Sequence, residues 1–263
     1  MISPLAHVDP AARLGKDVKI HPFAFVDADT ELGDGCEIMP YASVVHGTTL
    51  GKNVKVYQGA IVGADPQDFR WKGERSYCRV GDNTVIREHV IINRGIYSSG
   101  ATEIGPDCFI MADSHIGHDT EIVGRCVVGN GVSIAGHVHI DEGTILSSGV
   151  ILHEKSRVGK FVLIKGGTRI SGNVPPFVIM AHNPAGYYGV NAIVMQKHAG
   201  YSDEQIQNIS KSYRHIYRTA TSVFNALQRI ETDVEPSDVR DEIVNFVRAC
   251  DMRLAGRNFD LDD

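Results

Sequence analysis

An aliphatic side chain returns at every sixth position of this chain. Val8, Leu14, Ile20 and Val26 begin the series, which continues through Val44, Val62, Ile86, Ile110, Ile116, Ile122, Val128, Ile134 and Ile140 to Leu152, Ile164 and Ile170. Between Val8 and Ile170 only Asp68, Glu74 and Ser98 stand in the frame without being aliphatic. A helix repeats at 3.6 residues and a strand at 2, so neither accounts for a period of six. A fixed internal period marks a solenoid, and a hexad marks a parallel β-helix. Three hexads close one triangular coil with three aliphatics turned inward, so residues 18 apart stack on adjacent coils. Burying each aliphatic is worth about 1.5–3 kcal/mol. No coil can hide its own core, and stability comes from stacking. Small residues after the aliphatic, as in LGKDVK, LGDGCE and IGHDTE, are expected to serve corners with positive φ.

The interruptions define the rest of the organisation. Residues 63–79, with the only Trp, and the Gly- and Ser-rich residues 93–103 read as loops thrown out from the solenoid. Binding residues concentrate on such loops. The first domain is thus 1–172. After Ile170 the hexads stop at Asn173-Val174-Pro175-Pro176, and 173–263 reads as a helical domain. A short helix is expected at Val190–His198. Ser202 with Gln205 resembles a capping box opening a helix through Tyr217. A third helix covers Thr221–Ile230, and Pro236 starts a fourth, ending near Leu254. The NFDLDD tail is expected to be loose.

A formal net charge of −6 argues against a general nucleic-acid binder. No apolar run spans a bilayer, and MISPLAHVDP lacks the regions of a signal peptide, so a cytoplasmic location is expected. The five cysteines form no CxxC pair. Cys36, Cys108 and Cys126 each lie four residues after a frame aliphatic, where small inward side chains fit.

His115, His118, His137 and His139 crowd one stretch of the frame, and His153 follows one coil later. Stacking places His118 below Gly136 and Asp119 below His137. A base at His118 then faces a backbone N–H near Gly136 across about 4.8 Å. That pairs a proton acceptor with an oxyanion donor, as acyl transfer requires. A single histidine here would read as an exposed turn residue. Zinc is the rival reading for the band, although no HExxH or CxxC supports it.

The chain resembles the acyl-carrier-protein-dependent UDP-N-acetylglucosamine O-acyltransferases, which begin lipid A synthesis. The resemblance rests on Gln67-Asp68-x-Arg70, IREHVIINRG at Ile86–Gly95, His115-Ile-Gly-His118-Asp119, Ala135-Gly136-His137-Val138, Asn173-Val-Pro-Pro-Phe-Val-Ile179 and Gly189-Val-Asn191. It implies a mainly β fold: a left-handed parallel β-helix of hexapeptide repeats with a helical C-terminal domain, assembled as a homotrimer. It implies transfer of a 3-hydroxyacyl chain from acyl carrier protein to the sugar 3-hydroxyl. No metal or dissociable cofactor is implied, because the phosphopantetheine arm arrives with the donor.

By the same resemblance His118 is the general base, Asp119 holds its imidazole and the Gly136 N–H is the oxyanion donor. Asp68 grips sugar hydroxyls and Arg70 faces the nucleotide phosphate. Gln67, His115, His137 and His153 are further substrate contacts, Asn191 is a nucleotide-side residue, and Lys197 contacts nucleotide or carrier. Gly166 is the acyl-chain ruler. Glu154 departs from the family pattern, since a carboxylate beside a diphosphate is repelled unless protonated or turned away. Lys211, Arg214, His215 and Arg218 offer a basic helix face to the acidic carrier protein. The alternatives are a related sugar N-acyltransferase, a β-helical zinc carbonic anhydrase and a noncatalytic scaffold.

Overall fold

The hexads fold into three flat faces, each a parallel sheet built from every third strand. The computed structural model describes residues 1–257, His198 by its backbone alone; the NFDLDD tail lies outside them. Face one has nine strands, from His7–Val8 to Arg169–Ile170, and face two has eight, from Arg13–Leu14 to Arg157–Val158. Face three has ten, starting at Lys19–Ile20. Together they make a left-handed β-helix. Every frame aliphatic from Ile20 to Ile170 is buried. The residue four later is a second inward ring of small side chains, such as Ala24, Cys36, Thr84, Cys126 and Val132, all buried. All five cysteines are buried free thiols.

The register explains why the frame survives its loops. On face one, His7 pairs with Phe25, Phe25 with Ser43 and Ser43 with Ile61, each a step of 18. Ile61 then pairs with Ile91, a step of 30, and Ile91 with His115, a step of 24. The first loop therefore adds 30 − 18 = 12 residues and the second 24 − 18 = 6. Both are whole numbers of hexads, so the aliphatic frame resumes in phase. The loops are narrower than expected. Strands Ile61–Ala64 and Tyr77–Val80 enclose loop 65–76, and strands Ile91–Asn93 and Ala101–Ile104 enclose loop 94–100. In this pairing Tyr77 faces Ala101 and Arg79 faces Glu103.

The corners also differ from expectation. At the regular corners the left-handed backbone falls on the third residue after the aliphatic; Gly63, at the root of the first loop, has it on the first. Asp17, Asp29, Asn53, Asp107, Asp119 and His137 all have φ between 54° and 57° there. Glycine at the first position meets a different demand, the close approach of the next coil. A Cβ on Gly33 would lie 2.5 Å from the Gly51 carbonyl oxygen, and one on Gly117 would lie 2.7 Å from the Ala135 carbonyl carbon.

The C-terminal region has four helices: α1 (Ala192–Ala199), α2 (Asp203–Tyr217), α3 (Val223–Asp233) and α4 (Asp238–Ala249). Ser202 and Gln205 close the capping box that opens α2. Ile209, Tyr213, Ile216 and Tyr217 form its buried face. The fourth helix starts later than Pro236 because Ser237 caps it, and it stops at Ala249, short of Leu254. The sequence pattern also missed a hairpin. Strand Val178–Ala181 continues face three in parallel, and Gly186–Val190 returns antiparallel beside it. No described helix is long and apolar enough to cross a membrane.

Candidate active site

Both loops leave the β-helix at one corner, between faces one and two, on successive coils. His118–Asp119, Gly136–His137 and Glu154–Lys155 occupy the same corner on the next three coils. The hexad arithmetic thus stacks loop 65–76, loop 94–100 and the histidine band into one wall.

His118 is buried, 6% exposed. Its Nδ1 lies 2.9 Å from Asp119 Oδ2, which can only accept, so Nδ1 carries a proton and the other ring nitrogen, Nε2, points away from Asp119. Asp119 is fixed in turn, because the same oxygen accepts the Ile96 N–H at 3.0 Å from the second loop. Nε2 faces Asp68 Oδ2 at 3.3 Å. The Gly136 backbone packs directly on the ring: a Cβ there would lie 2.9 Å from Nδ1 and closer still to Cε1 and Nε2. Among the described residues the buried Gly136 N–H has no acceptor. Base, orienting carboxylate and the Gly136 backbone therefore lie against one another.

The first loop brings charge. Asp68 receives Arg70 Nε at 2.9 Å and Nη2 at 2.7 Å, and Arg70 Nη2 also reaches Glu154 Oε1 at 3.1 Å. The Arg70 fork holds the Asp68 carboxyl well below the usual carboxylate range and lowers Glu154 as well. Glu154 is thus paired with the Arg70 guanidinium. Arg70 Nη1 has no acceptor among the described residues.

The other expected residues divide. His115 joins this wall, with Nε2 2.7 Å from Asn93 Oδ1; burial, then the neighbouring His118, lowers its pKa. His137 stands edge-on to His118 with ring centroids 5.0 Å apart, and burial lowers it too. Gln67 is exposed on the loop. His153 accepts from Arg169 Nε at 2.8 Å and lines another cavity of about 460 Å³. Within one chain, Asn191, Lys197 and Gly166 are not brought to His118. Asn191 is buried and donates to the Phe161 carbonyl at 2.9 Å, at the corner between faces two and three. Gly166 lies at the corner between faces three and one, where a Cβ would be 3.0 Å from Ser148 O. A cavity of about 730 Å³ lies apart from His118, between face three and α1, lined by Arg125, Lys160, Phe161 and Tyr201.

Four residues of the wall were not anticipated: Asn93, Arg94, Trp71 and Ile96. Asn93 Nδ2 donates to Asp65 O at 2.6 Å. Arg94 is 2% exposed and lies over the Trp71 ring at 5.3 Å. Their sequence signals were NRG at the end of a strand and the lone Trp. Nothing local says that the two meet.

His118, Asp119 and His137 each place a possible metal-ligand atom within 4.8 Å of the others. Asp119 Oδ2, however, already accepts two N–H donors, and His118 Nδ1 is protonated toward it. A cation held through Asp119 Oδ2 or His118 Nδ1 would have to break that set.

Comparisons with known proteins place the chain beside one group. A family model described as UDP N-acetylglucosamine O-acyltransferase, domain 2, matches residues 173–255, and a six-repeat bacterial transferase hexapeptide model matches 29–64. An acyl-(acyl-carrier-protein)–UDP-N-acetylglucosamine O-acyltransferase of Chlorobaculum parvum is 46% identical over 246 residues, covering 93% of each chain. The protein of the same name from Myxococcus xanthus is 39% identical, covering 94% of this chain and 96% of its own. The crystal structure of a UDP-N-acetylglucosamine acyltransferase from Bacteroides fragilis superposes with a TM-score of 0.92 at 40% identity, over 94% of this chain and 97% of that one.

Proposed function

The chain belongs to the acyl-(acyl-carrier-protein)–UDP-N-acetylglucosamine O-acyltransferase family, and on that premise we propose that it acylates the sugar 3-hydroxyl with His118 as general base. The reaction opens lipid A synthesis, and we assign it to the cytoplasm. One observation carries the catalytic part: a buried imidazole, held by Asp119 at Nδ1, directs Nε2 toward Asp68 and lies against the Gly136 backbone.

The sugar enters beside the Asp68–His118 pair, where its hydroxyls can reach both groups. Asp68 accepts from a sugar hydroxyl, and Nε2 takes the proton of the 3-hydroxyl as its oxygen attacks the thioester carbonyl carbon. The carbonyl oxygen gains negative charge and accepts the Gly136 N–H; a single such donor contributes about 2.7–4 kcal/mol in comparable sites. Asp119 stabilises the imidazolium. The carbon–sulfur bond then breaks, Nε2 returns its proton to the departing thiolate, and the products are the 3-O-acyl sugar nucleotide and free carrier-protein thiol. These steps use no metal or dissociable cofactor.

Gln67, Arg70, His115 and His137 complete the sugar-nucleotide side, with Arg70 offering Nη1 to phosphate. Asn191, Lys197, His153 and the Gly166 ruler serve the same reaction from a neighbouring copy in a homotrimer. Their separation from His118 within one chain supports that reading. Lys211, Arg214 and Arg218, all exposed, receive the carrier protein, while His215 is drawn toward Asp233 at 3.6 Å. The test is to incubate the protein with UDP-N-acetylglucosamine and a panel of 3-hydroxyacyl carrier-protein donors and to detect product by mass. Ester product on the sugar nucleotide supports the reading. No product with any donor, from protein shown to be folded and trimeric, contradicts it.

A further inference from the structure

Loop 65–76 carries Asp68 and Arg70 but contributes no frame aliphatic to the core. Something else must fix it over His118. Its tip is one turn, in which the Trp71 N–H donates to the Asp68 carbonyl at 3.2 Å, so whatever pins Trp71 also pins Asp68. Beneath the Trp71 ring lies Arg94, the first residue of the other loop. The Arg94 side chain is 3% exposed, pairs with Asp65 Oδ1 at 2.6 Å, and donates Nη1 to the Gly63 carbonyl at 2.9 Å. Its backbone N–H donates to Ala64 O at 3.0 Å. Asn93, next to it, joins Asp65 O to His115.

We propose that Arg94 is the positioning residue of the sugar site. Its buried guanidinium grips both the root of the first loop, at Gly63 and Asp65, and its tip, at Trp71, and so sets the distance from Asp68 to His118. It touches no substrate. The planar fork is needed because one group must bond a carbonyl and a carboxylate edge-on while stacking face-on against an indole. A lysine supplies the charge without the face. The inference rests on the reading of Asp68 as a sugar contact.

Trp71 is the only tryptophan, so its emission reports the loop directly. The experiment measures Trp71 emission, acrylamide quenching and steady-state constants for wild type, Arg94→Met, Arg94→Lys and Asp68→Ala, each checked by circular dichroism. Release of the tip should red-shift and expose Trp71 in both Arg94 variants. The KM for UDP-N-acetylglucosamine should rise by roughly tenfold, with kcat at saturation changed far less. A role in folding alone would lower the melting temperature and leave KM and emission in place. If Arg94→Met does not fold, Arg94→Lys carries the same test. Unchanged KM and emission in a folded Arg94 variant, beside a raised KM in Asp68→Ala, overturns the inference alone. An unchanged KM in Asp68→Ala as well overturns the sugar-site reading beneath it.

Discussion

Adding one methyl group at Gly136 should disable the site without removing any functional atom. Alanine keeps the N–H, and Gly136 is not among the positive-φ residues, so the backbone accepts it. The new Cβ, however, would stand 2.9 Å from His118 Nδ1 and nearer to Cε1 and Nε2. Ordinary contact is about 3.5 Å, so the ring must retreat by about 1 Å. It has nowhere harmless to go. Moving away from Gly136 strains the 2.9 Å bond to Asp119 or presses the ring against Asp68, already 3.3 Å away. A displacement of about 1 Å at a reacting group costs on the order of 10²-fold in rate. Overpacking should also cost about 1–3 kcal/mol of stability, too little to unfold a stacked β-helix. Gly136→Ala should therefore melt as a folded protein while kcat falls about a hundredfold. A folded variant within twofold of wild-type kcat would refute the packing of His118 on Gly136.

Three further outcomes follow from the same geometry. Arg70→Ala should weaken UDP-N-acetylglucosamine binding by roughly tenfold or more in calorimetry, because a charge-assisted donor to phosphate is lost; unchanged affinity would remove Arg70 from the phosphate site. Reversing charge at Arg214 and Arg218 together should raise the apparent KM for the carrier-linked donor and weaken its salt dependence; no change would leave these residues as solvated surface. Wild type should prefer donors of about fourteen carbons or more over ten-carbon donors, and Gly166→Met should reverse that preference, since each methylene is worth about 0.8 kcal/mol. A wild-type preference for ten carbons, or unchanged selectivity in the variant, would place the ruler elsewhere.

The periodic part of the chain was legible because hexad stacking turns sequence separation into spatial position. His118 under Gly136 needed only a step of 18. The two loops were visible as failures of the frame at Asp68, Glu74 and Ser98. Their lengths as whole hexads were equally present in the sequence, but the strand residues at 77–79 and 101–103 precede the resumed frame aliphatics Val80 and Ile104 and carry no frame position of their own. Corner glycines were given the wrong duty, because φ and close approach demand the same residue type for different reasons. What the sequence concealed is whatever joins distant segments without a period. Arg94 meets Trp71 across 23 positions, and Arg70 meets Glu154 across 84. The hairpin at Val178–Val190 was missed because it ends the solenoid by antiparallel pairing, which the hexad does not encode.

The central claim is that the Nε2 lone pair of His118 takes the sugar proton. Comparing kcat of His118→Ala with wild type, on saturating UDP-N-acetylglucosamine and carrier-linked donor, tests it most directly. Circular dichroism should show the β-helix intact in both proteins. The account predicts a fall of roughly 10²–10⁴ in kcat with KM for the sugar nucleotide little changed. A folded His118→Ala enzyme turning over at near wild-type rate would contradict it.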